Sequence, residues 1–410
     1  MPTAFHPQVR VRTVTAFVTL PADAGQWEGG LRLAKQQCDR VADALQDRGY
    51  QVQSVRIVSN PFGDYLDLSS RESAFSGLQA ITELLGRIND GGRRIRFAIG
   101  EARTVREIEL LPELIAAYGD LCNACVNIPL DEAGFLDGEL LQPSVRAVQE
   151  IARITPRGEG NFNFTVNFNC EPGIPYFPAS YHRGDHHGAL VLGLETPDLL
   201  AAVLQEQQAQ RTQLAHAAWL KLAFQVMSAA LSEHAQAVWH CARAVSLESG
   251  WTIAGMDTSA APSKSCTSMV QVYSLLGVPY FGAGGTVEAS ALLTRVFKSV
   301  GDVAQVGFSG LMLAVTEDEG LAQATQDGSF DLRALLTYSS VCGIGLDTVP
   351  VPGDANAEQL ERIMRDTGTM AFRLNKPLTV RLFPVPGLKA GDVTQFESTD
   401  LCNCAVMALP

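Results

Sequence analysis

The alternation of strand-like and helix-like segments in the first sixty residues is the feature that most constrains the fold. Residues 9–20 (VRVRTVTAFVTL) are rich in Val and Thr, which favours a strand. Residues 27–49 carry apolar side chains at helical spacing and end at Gly49, a residue typical of a helix C-cap. Residues 52–59 (VQSVRIVS) again predict a strand. This order within about fifty residues predicts a βαβ unit, with parallel pairing and a right-handed crossover.

The same alternation continues along the rest of the chain. Helices are predicted over residues 72–90, 104–119, 143–153 and 357–374, and one very long helix or two over 194–250. Strands are predicted over residues 93–100, 123–130, 161–173, 251–257, 306–318, 338–344 and 378–386. The sequence contains no tandem repeat, low-complexity tract or Pro/Ser-rich linker. It therefore predicts one large α/β domain over residues 1–410.

Composition and charge restrict the class of partner. Hydrophobic residues make up 46% and charged residues 18%, the balance of a globular protein with a large core. The 31 Lys and Arg against 44 Asp and Glu give a net charge of −13, which argues against nucleic acid and anionic membranes as partners. The N-terminal segment lacks a secretory pattern, and no run of about 18 apolar residues occurs. We expect a cytoplasmic protein whose nine cysteines are reduced.

Strict alternation distinguishes residues 161–170 (NFNFTVNFNC). One face carries Phe, Val and Cys, while the other carries polar side chains: Asn161, Asn163, Thr165, Asn167, Asn169 and, if the strand continues, Glu171. A row of amides on a strand faces either solvent or a wet cavity, and both alternatives stay open. For the second alternative, Asn167, Asn169 and Glu171 are candidate substrate-binding residues.

The long loop after this strand contains a cluster of potential metal ligands. His182, Asp185, His186 and His187 lie within six residues, and imidazole and carboxylate groups suit zinc, iron or nickel. Gly184 and Gly188 disfavour the helix that would align them, so a solvated polar loop is the alternative. We keep His182 as a candidate binding residue and a divalent metal as possible.

Two pairs of closely spaced cysteines, Cys122 with Cys125 and Cys402 with Cys404, could form a four-sulfur zinc site. Their spacing departs from the usual double CxxC pattern, which weakens this interpretation. The metal, if one is bound, stays unknown.

Two further loops carry candidate residues at the ends of predicted elements. Asp257 and Ser259 follow the predicted strand WTIAGMD, where ligands of parallel sheets usually bind, although a turn that caps a helix is the alternative. Gly284 and Gly285 precede a predicted helix that starts near Val287, and their N–H groups could bind a carboxylate or phosphate. Neither nucleotide-binding glycine pattern is present.

Residues 339–354 (SSVCGIGLDTVPVPGD) are interpreted as the end of a strand, a sharp turn and a proline-stiffened return. Cys342 and Asp347 are candidate catalytic residues at this turn. A reactive thiol needs a cation or a helix N-terminus to stabilise its thiolate, and no His or Lys lies nearby in the sequence. A buried, inert Cys342 therefore stays open as the alternative.

Charged residues inside apolar strands complete the candidate site. Arg56, with Asn60 before Pro61, lies in one such strand and Arg381 lies in another. A strand arginine is seldom buried without an anionic partner. Each arginine either holds an internal carboxylate or binds a substrate anion.

Several motifs together resemble an uncharacterised bacterial and archaeal family, domain of unknown function seven hundred and eleven, over nearly the whole chain. They are VRTVT, VQSVRIVSNPF, FNFTVNFNCEPGIPYFPASYH, GMDTSAAPSK, FSGLMLAVTED, YSSVCGIGLDTVPVPGD, RLFPVPGLKAGD and CNCAVM. That family resembles in fold the pyruvate formate-lyase type of glycyl radical enzymes. The resemblance implies a ten-stranded α/β barrel of two five-stranded parallel halves, with an inner hairpin that would carry Cys342.

The radical chemistry of those enzymes is not implied for this chain. Their radical glycine lies in an Arg-Val-x-Gly-aromatic motif near the C-terminus, whereas this sequence ends VTQFESTDLCNCAVMALP. No glycyl radical is therefore expected.

Two functional hypotheses of different classes follow. The first is an enzyme that acts on a small polar or anionic molecule by non-radical lyase or hydrolase chemistry. Cys342 would be the nucleophile or general acid, Asp347 or Asp257 the base, and Arg56 or Arg381 the carboxylate clamp. The second is a non-catalytic small-molecule binding or regulatory protein on the same barrel. In either case a homodimer is the expected oligomer.

Overall fold

The structure is a computed structural model that describes residues 8–89, 92–247 and 250–410, and for Asp120 the backbone alone. Its amino-terminal part alternates strands with helices: β1 Arg10–Val18, α1 Trp27–Gln46, β2 Gln51–Val52, β3 Val55–Ser59, α2 Arg71–Ile88, β4 Ile95–Ala102, α3 Val105–Tyr118, β5 Asn123–Ile128, α4 Gly138–Ile154 and β6 Phe164–Phe168. The predicted alternation is confirmed in this part of the chain.

The remaining elements are less regular. They are β7 Ala189–Glu195, α5 Pro197–Glu206, α6 Gln208–Arg211, α7 His216–Ser246, β8 Thr252–Asp257, α8 Met269–Leu276, α9 Thr286–Lys298, α10 Glu319–Gln326, α11 Leu332–Ser339, β9 Gly345–Pro352, α12 Ala357–Arg373 and β10 Leu378–Val385. None of the helices in the described ranges is long and apolar enough to cross a lipid bilayer.

Local sequence signals explain where several helices begin. Thr104 accepts a hydrogen bond from the backbone of Glu107, whose side chain accepts one in return, so that α3 starts with a capping box. Asn356 and Gln359 form the same arrangement at α12. In each case the polar pair satisfies backbone N–H groups that the helix itself leaves free.

All ten strands belong to one sheet, in the order β8-β7-β1-β3-β4-β5-β6-β10-β9, with β2 paired to β1. Strands β1, β3, β4, β5 and β6 are mutually parallel. Strands β7 and β10 pair antiparallel with β1 and β6, and they pair parallel with β8 and β9. The four later strands therefore run opposite to these five and to β2, which pairs parallel with β1. The fold is a mixed α/β fold with a largely parallel sheet.

The two edge strands of this sheet, β8 and β9, share no ladder in the part of the chain that the structure describes. Residues 305–314 lie between them, with one bridge from Gln305 to Met256 and one from Ala314 to Asp347. The strand predicted over 306–318 is therefore wrong. Gly307 and Ser309 have positive φ values of 64° and 38°, which a regular strand does not accommodate.

The strand predicted over 338–344 is also wrong. Helix α11 extends to Ser339, and the chain turns before β9 begins at Gly345. The predicted proline-stiffened return is itself strand β9, at the edge of the sheet. Proline is tolerated there because an edge strand has N–H groups that need no ladder partner.

Strand β7 was not predicted, because its residues were divided between a loop and a helix. Its seven residues are all buried, as expected for a strand covered on both faces. The helical stretch predicted over 194–250 forms three helices, α5, α6 and α7. The largest cluster of buried apolar side chains extends from Val9 to Met407 and includes residues of all parts of the sheet.

Candidate functional site

A cavity of about 60 Å³ lies against the sheet and receives side chains from β1, β3, β6, β9 and β10. The rest of its wall consists of residues 176–179, Ala261, Pro262, Phe308, Met312, Ala314, Glu317 and Ile344. Its polar and charged lining residues are Arg12, Arg56, Thr165, Tyr176, Glu317, Asp347, Thr379 and Arg381. The cavity has room for on the order of four water molecules, or for a correspondingly small ligand.

Arg56 is the unusual residue of this cavity. It is 8% exposed, and its Nε lies 3.5 Å from Ser54 Oγ, with the guanidinium 4.9 Å from the centre of the Phe177 ring. No carboxylate of the described residues lies within 4 Å of it. Burial lowers the pKa of Arg56 well below its usual value, and the nearby Arg96 and Arg12 lower it further. Arg56 is a buried cation without an anionic partner in the described chain.

Arg381 shows the opposite arrangement. Its Nε donates to Asp347 Oδ1 at 2.7 Å, and its Nη2 donates to Glu317 Oε1 at 2.5 Å. Two carboxylates therefore share one guanidinium. Burial raises the pKa of Glu317, while Arg381 opposes this rise and Asp347 adds to it. Burial therefore makes Glu317 retain a proton more readily than an exposed glutamate does.

Arg12 and Glu317 are site residues that sequence reasoning missed. Arg12 reaches Gln53 at 3.0 Å, Glu195 at 3.4 Å and Glu317 at 3.8 Å. Like Arg56, Arg12 is a charged residue inside an apolar strand, so the same signal could have identified it. Glu317 lies in an irregular segment, and no local pattern marks it.

A separate, open crevice lies at the carboxyl ends of β4, β5 and β6 and has a volume of about 460 Å³. The predicted binding residues Asn167, Asn169 and Glu171 all lie in its wall, together with Glu101 and Arg183. No residue of this wall also lines the cavity.

The polar face of β6 does not point to solvent. Residues 156–163 form a 3-10 helix, so the strand is shorter than predicted. Asn163 Nδ2 donates to Asn123 Oδ1 at 3.2 Å and Asn167 Nδ2 to Asn127 Oδ1 at 3.1 Å. Asn163 and Asn167 are at most 5% exposed, so of the two alternatives the solvent-facing strand is wrong.

Asp257 and Ser259 organise the 307–310 turn and do not line the cavity. Asp257 accepts hydrogen bonds from the N–H groups of Ser259, Phe308 and Ser309 at 2.8–3.0 Å, and Ser259 Oγ accepts one from Gly310. Burial raises the pKa of Asp257 to about 6, although these donors favour its charged form. Asp257 thus forms a turn with Ser259, as the alternative predicted, but neither residue caps a helix, since the next helix, α8, has Ser268 as its N-cap.

Cys342 is 1% exposed, belongs to the apolar core and does not line the cavity. Its Sγ accepts a hydrogen bond from the Gly345 N–H at 3.4 Å. The fold also brings a lysine close, because Lys376 Nζ donates to the carbonyl oxygens of Cys342 and Ser339. Lys376, which lies just before β10, thus supplies the cation that the local sequence lacks. Its ammonium group binds backbone oxygens and not the thiol.

His182 and Asn60 are held by backbone hydrogen bonds. Both ring nitrogens of His182 are engaged, Nε2 with Val18 O at 3.2 Å and Nδ1 with Gly184 N–H at 3.1 Å. Burial lowers the pKa of His182 to about 4, so the ring is neutral at pH 7. Asn60 Oδ1 accepts from the N–H of Leu20 at 2.8 Å. Among the residues described, no group of three or more His, Cys, Asp or Glu side chains is placed to hold a metal ion.

Gly284 and Gly285 are exposed at the start of α9 and belong to neither wall. Gly285 is the N-cap, with a φ of 100° that favours glycine. The structure thus brings Arg56, Asp347 and Arg381 together in the cavity and places three other candidates in the crevice. The rest of the predicted set lies elsewhere.

Comparison with known proteins places these features in a family context. A family model described as Uncharacterised ACR (DUF711) matches residues 5–397. A UPF0210 protein of Pyrobaculum arsenaticum is 32% identical over 286 residues, which cover 68% of this chain and 62% of that protein. A UPF0210 protein of Pyrobaculum islandicum is 28% identical over 385 residues, covering 92% and 82%.

A third relative, a UPF0210 protein of Pyrobaculum aerophilum, is 32% identical over 268 residues, covering 64% of this chain and 58% of its own. The chain thus matches less than two thirds of the length of the P. arsenaticum and P. aerophilum proteins. None of these names states an activity.

Proposed function

Since the chain belongs to the Uncharacterised ACR (DUF711) family, in which the relatives' names supply no activity, we propose a function from the geometry of the cavity. We propose that the protein is an enzyme that binds a small anionic molecule at Arg56 and transfers a proton at Glu317, in lyase or hydrolase chemistry. The alternative is a non-catalytic protein that binds the same kind of molecule.

The observation that carries this proposal is the unpaired Arg56. A buried guanidinium without a carboxylate partner is costly, because it has lost most of its hydration. A bound carboxylate or phosphate would supply the missing charge and accept the guanidinium's N–H groups in a bidentate manner. The other charged lining groups are Arg12, Arg381, Glu317 and Asp347. Together with Arg56 they sum to +1 when all are ionised, which favours a monoanion.

Glu317 supports the catalytic part of the proposal. A general acid or base works best when its pKa lies near the working pH, and burial moves the pKa of Glu317 upward in that direction. Asp347 and Arg381 would hold it in position. Cys342 and Asp257 do not line the cavity, so the proposal assigns them no chemical step.

Anion binding is tested by following the melting temperature of the purified protein with acetate, glycolate, malonate and phosphate. We expect at least one of these anions to stabilise the wild type saturably and to leave Arg56→Met unaffected. Arg362→Met is the matched control, because Arg362 is an exposed arginine on α12 paired only with Glu358. An equal response of wild type and Arg56→Met to all four anions would contradict the proposal.

The enzyme and the binding protein are distinguished by proton NMR of the bound anion in deuterated water. One spectrum reports hydrogen exchange, elimination and hydrolysis. We expect turnover by the wild type that falls about 10²-fold or more in Glu317→Gln, while that variant still binds the anion. Binding without any chemical change in the wild type would favour the alternative.

The finer features of the fold are also part of this proposal. Residues 305–314 touch both edge strands, which supports a sheet curved around the cavity in the manner of a barrel. The five parallel strands and the four that oppose them fit two halves of a glycyl radical enzyme-like barrel in one domain. A homodimer and a cytoplasmic location stay predictions.

A further inference from the structure

The crevice at the carboxyl ends of β4, β5 and β6 is independent of the proposed function. Ligands of parallel sheets usually bind at this end of the strands. The two sites are neighbours but share no lining residue: Asn167 Nδ2 donates to the carbonyl of Ala179, which lines the cavity, and Cys170 of the crevice packs against a cluster that contains Ala179. The crevice therefore needs its own explanation.

Glu101 is the charged centre of this crevice. It is 1% exposed, and its Oε1 accepts from Arg183 Nε at 2.5 Å. Its Oε2 accepts from Arg183 Nη2 at 3.0 Å and from Asn127 Nδ2 at 2.6 Å. A carboxylate this deeply buried needs a cation, and Glu101 in turn raises the pKa of Arg183.

Arg183, the cation paired with Glu101, is itself largely exposed. The side chain of Arg183 is 58% exposed and belongs to the long loop between β6 and β7. Its guanidinium lies 5.6 Å from the centre of the Tyr181 ring, a cation–π position. Withdrawing such a side chain into water costs little, provided that another cation takes its place on Glu101.

A second observation indicates that the crevice lacks a hydrogen-bond donor. Asn167 is 1% exposed, and both partners of its Nδ2 are carbonyl oxygens, of Asn127 and Ala179, which fixes the orientation of the amide. Its Oδ1 has no hydrogen-bond partner among the residues that the structure describes. An unsatisfied buried acceptor is rare, and a ligand with N–H groups would satisfy it after a small adjustment.

We propose that the crevice binds a small organic cation of the guanidinium or amine class, which replaces the Arg183 guanidinium on Glu101 and on the Tyr181 ring. In the ligand-free protein Arg183 occupies the position of this ligand. The surroundings favour a cation over an anion: Glu171 adds a second carboxylate, and Arg103 is already paired with Asp64.

The first test uses the wild-type protein and methylguanidinium as the probe. Arg183 Nε–H is followed in a proton–nitrogen correlation spectrum and assigned by its absence from Arg183→Ala. We expect the signal to move saturably as the probe displaces the guanidinium, and to stay in place with methylurea, the neutral isostere. An Arg183 signal that does not move, or that moves equally with methylurea, would overturn the proposal.

The second test compares affinities for the probe. If Arg183 competes for Glu101, Arg183→Ala should bind methylguanidinium about tenfold more tightly than the wild type. Arg362→Ala, which removes an exposed arginine from α12, should bind like the wild type. Adding Glu101→Gln to Arg183→Ala should abolish binding, and unchanged affinity there would contradict the assignment. If the alanine variant does not fold, the affinity of Arg183→Lys for methylguanidinium is compared with that of the wild type instead, since this variant retains a cation.

Discussion

The cavity and the crevice each contain a deeply buried charge, but the two charges have opposite signs and different partners. In the cavity Arg56 is a buried cation with no carboxylate of the described residues within 4 Å, whereas in the crevice Glu101 is a buried anion paired with the more exposed Arg183. Arg56 lies near the amino end of β3, and Glu101 lies at the carboxyl end of the neighbouring strand β4.

Both proposals rest on the sign of the buried charge and not on the number of arginines nearby. Arg381 makes the point within the cavity itself. It is as buried as Arg56, at 5% against 8% exposure, yet two internal carboxylates already satisfy it. The same residue type in the same kind of strand is therefore paired with carboxylates at one position and has none of the described carboxylates within 4 Å at the other.

The largest effect on stability should come from a substitution that removes the ion pairs of Arg381. Arg381→Met leaves Asp347 buried without its cation and leaves Glu317 only the more distant Arg12, at 3.8 Å, so we expect the free energy of unfolding to fall by about 3–5 kcal/mol. Urea denaturation measures this change. Arg365→Met, which removes a surface pair with Glu361 on α12, should cost about 0.5 kcal/mol or less. A similar small loss for Arg381→Met would show that the buried group is not a stabilising ion cluster.

The same substitution at Arg56 should change the free energy of unfolding in the opposite direction. Arg56→Met removes a desolvated charge and leaves an apolar side chain beside Phe177, so we expect unfolding to cost about 1–2 kcal/mol more than in the wild type. The same urea titration in anion-free buffer gives the answer. A destabilisation as large as that of Arg381→Met would mean that Arg56 has an anionic partner inside the protein, and the contrast with Arg381 would be wrong.

Asp257 is a third buried acidic or basic group, and its hydrogen-bond donors are backbone N–H groups and not an arginine. Its folded pKa of about 6 lies above the unfolded value of about 3.9. The protonated form therefore stabilises the fold below pH 4, and this contribution, at most about 3 kcal/mol, is lost as the pH rises through 6.

We expect the stability advantage of wild type over Asp257→Asn to be largest near pH 4 and to shrink by pH 7. Urea denaturation across this range measures it. A gap that grows with pH would show that the three N–H donors outweigh burial and keep the pKa low.

The smallest effects should be differences in thiol labelling. Cys170 lines the crevice and is half-buried, whereas Cys342 lies in the core, so Cys170 should be alkylated faster in the native protein. Burial raises the pKa of Cys170 to about 12, so its labelling should be slow at pH 7, and the position of Cys342 in the core should make its labelling slower still. Methylguanidinium should slow the labelling of Cys170 alone, as located by mass spectrometry. Fast labelling of Cys342 below pH 7 would instead support its predicted role as a nucleophile.

The sequence predicted the fold best where side-chain periodicity is local. Residues 9–154 alternate between strand and helix with clear apolar patterns, and the structure confirms them. Prediction failed where backbone geometry depends on distant residues. The 306–318 segment is apolar enough for a strand, but Asp257 and Ser259 hold its backbone in a turn. A Cβ at Gly307 would collide with the Asp257 carboxylate, a constraint that exists only after folding.

The sequence predicted that Arg56 and Arg381 would lie in apolar strands, where an arginine is seldom buried without an anionic partner. It did not determine which arginine would find that anion inside the protein. Arg381 meets Asp347 and Glu317 across 34 and 64 residues of chain, and Arg56 meets neither. Only the tertiary structure decides such pairings, because the separation of two charges in space depends on strand order and register and not on their spacing in the sequence.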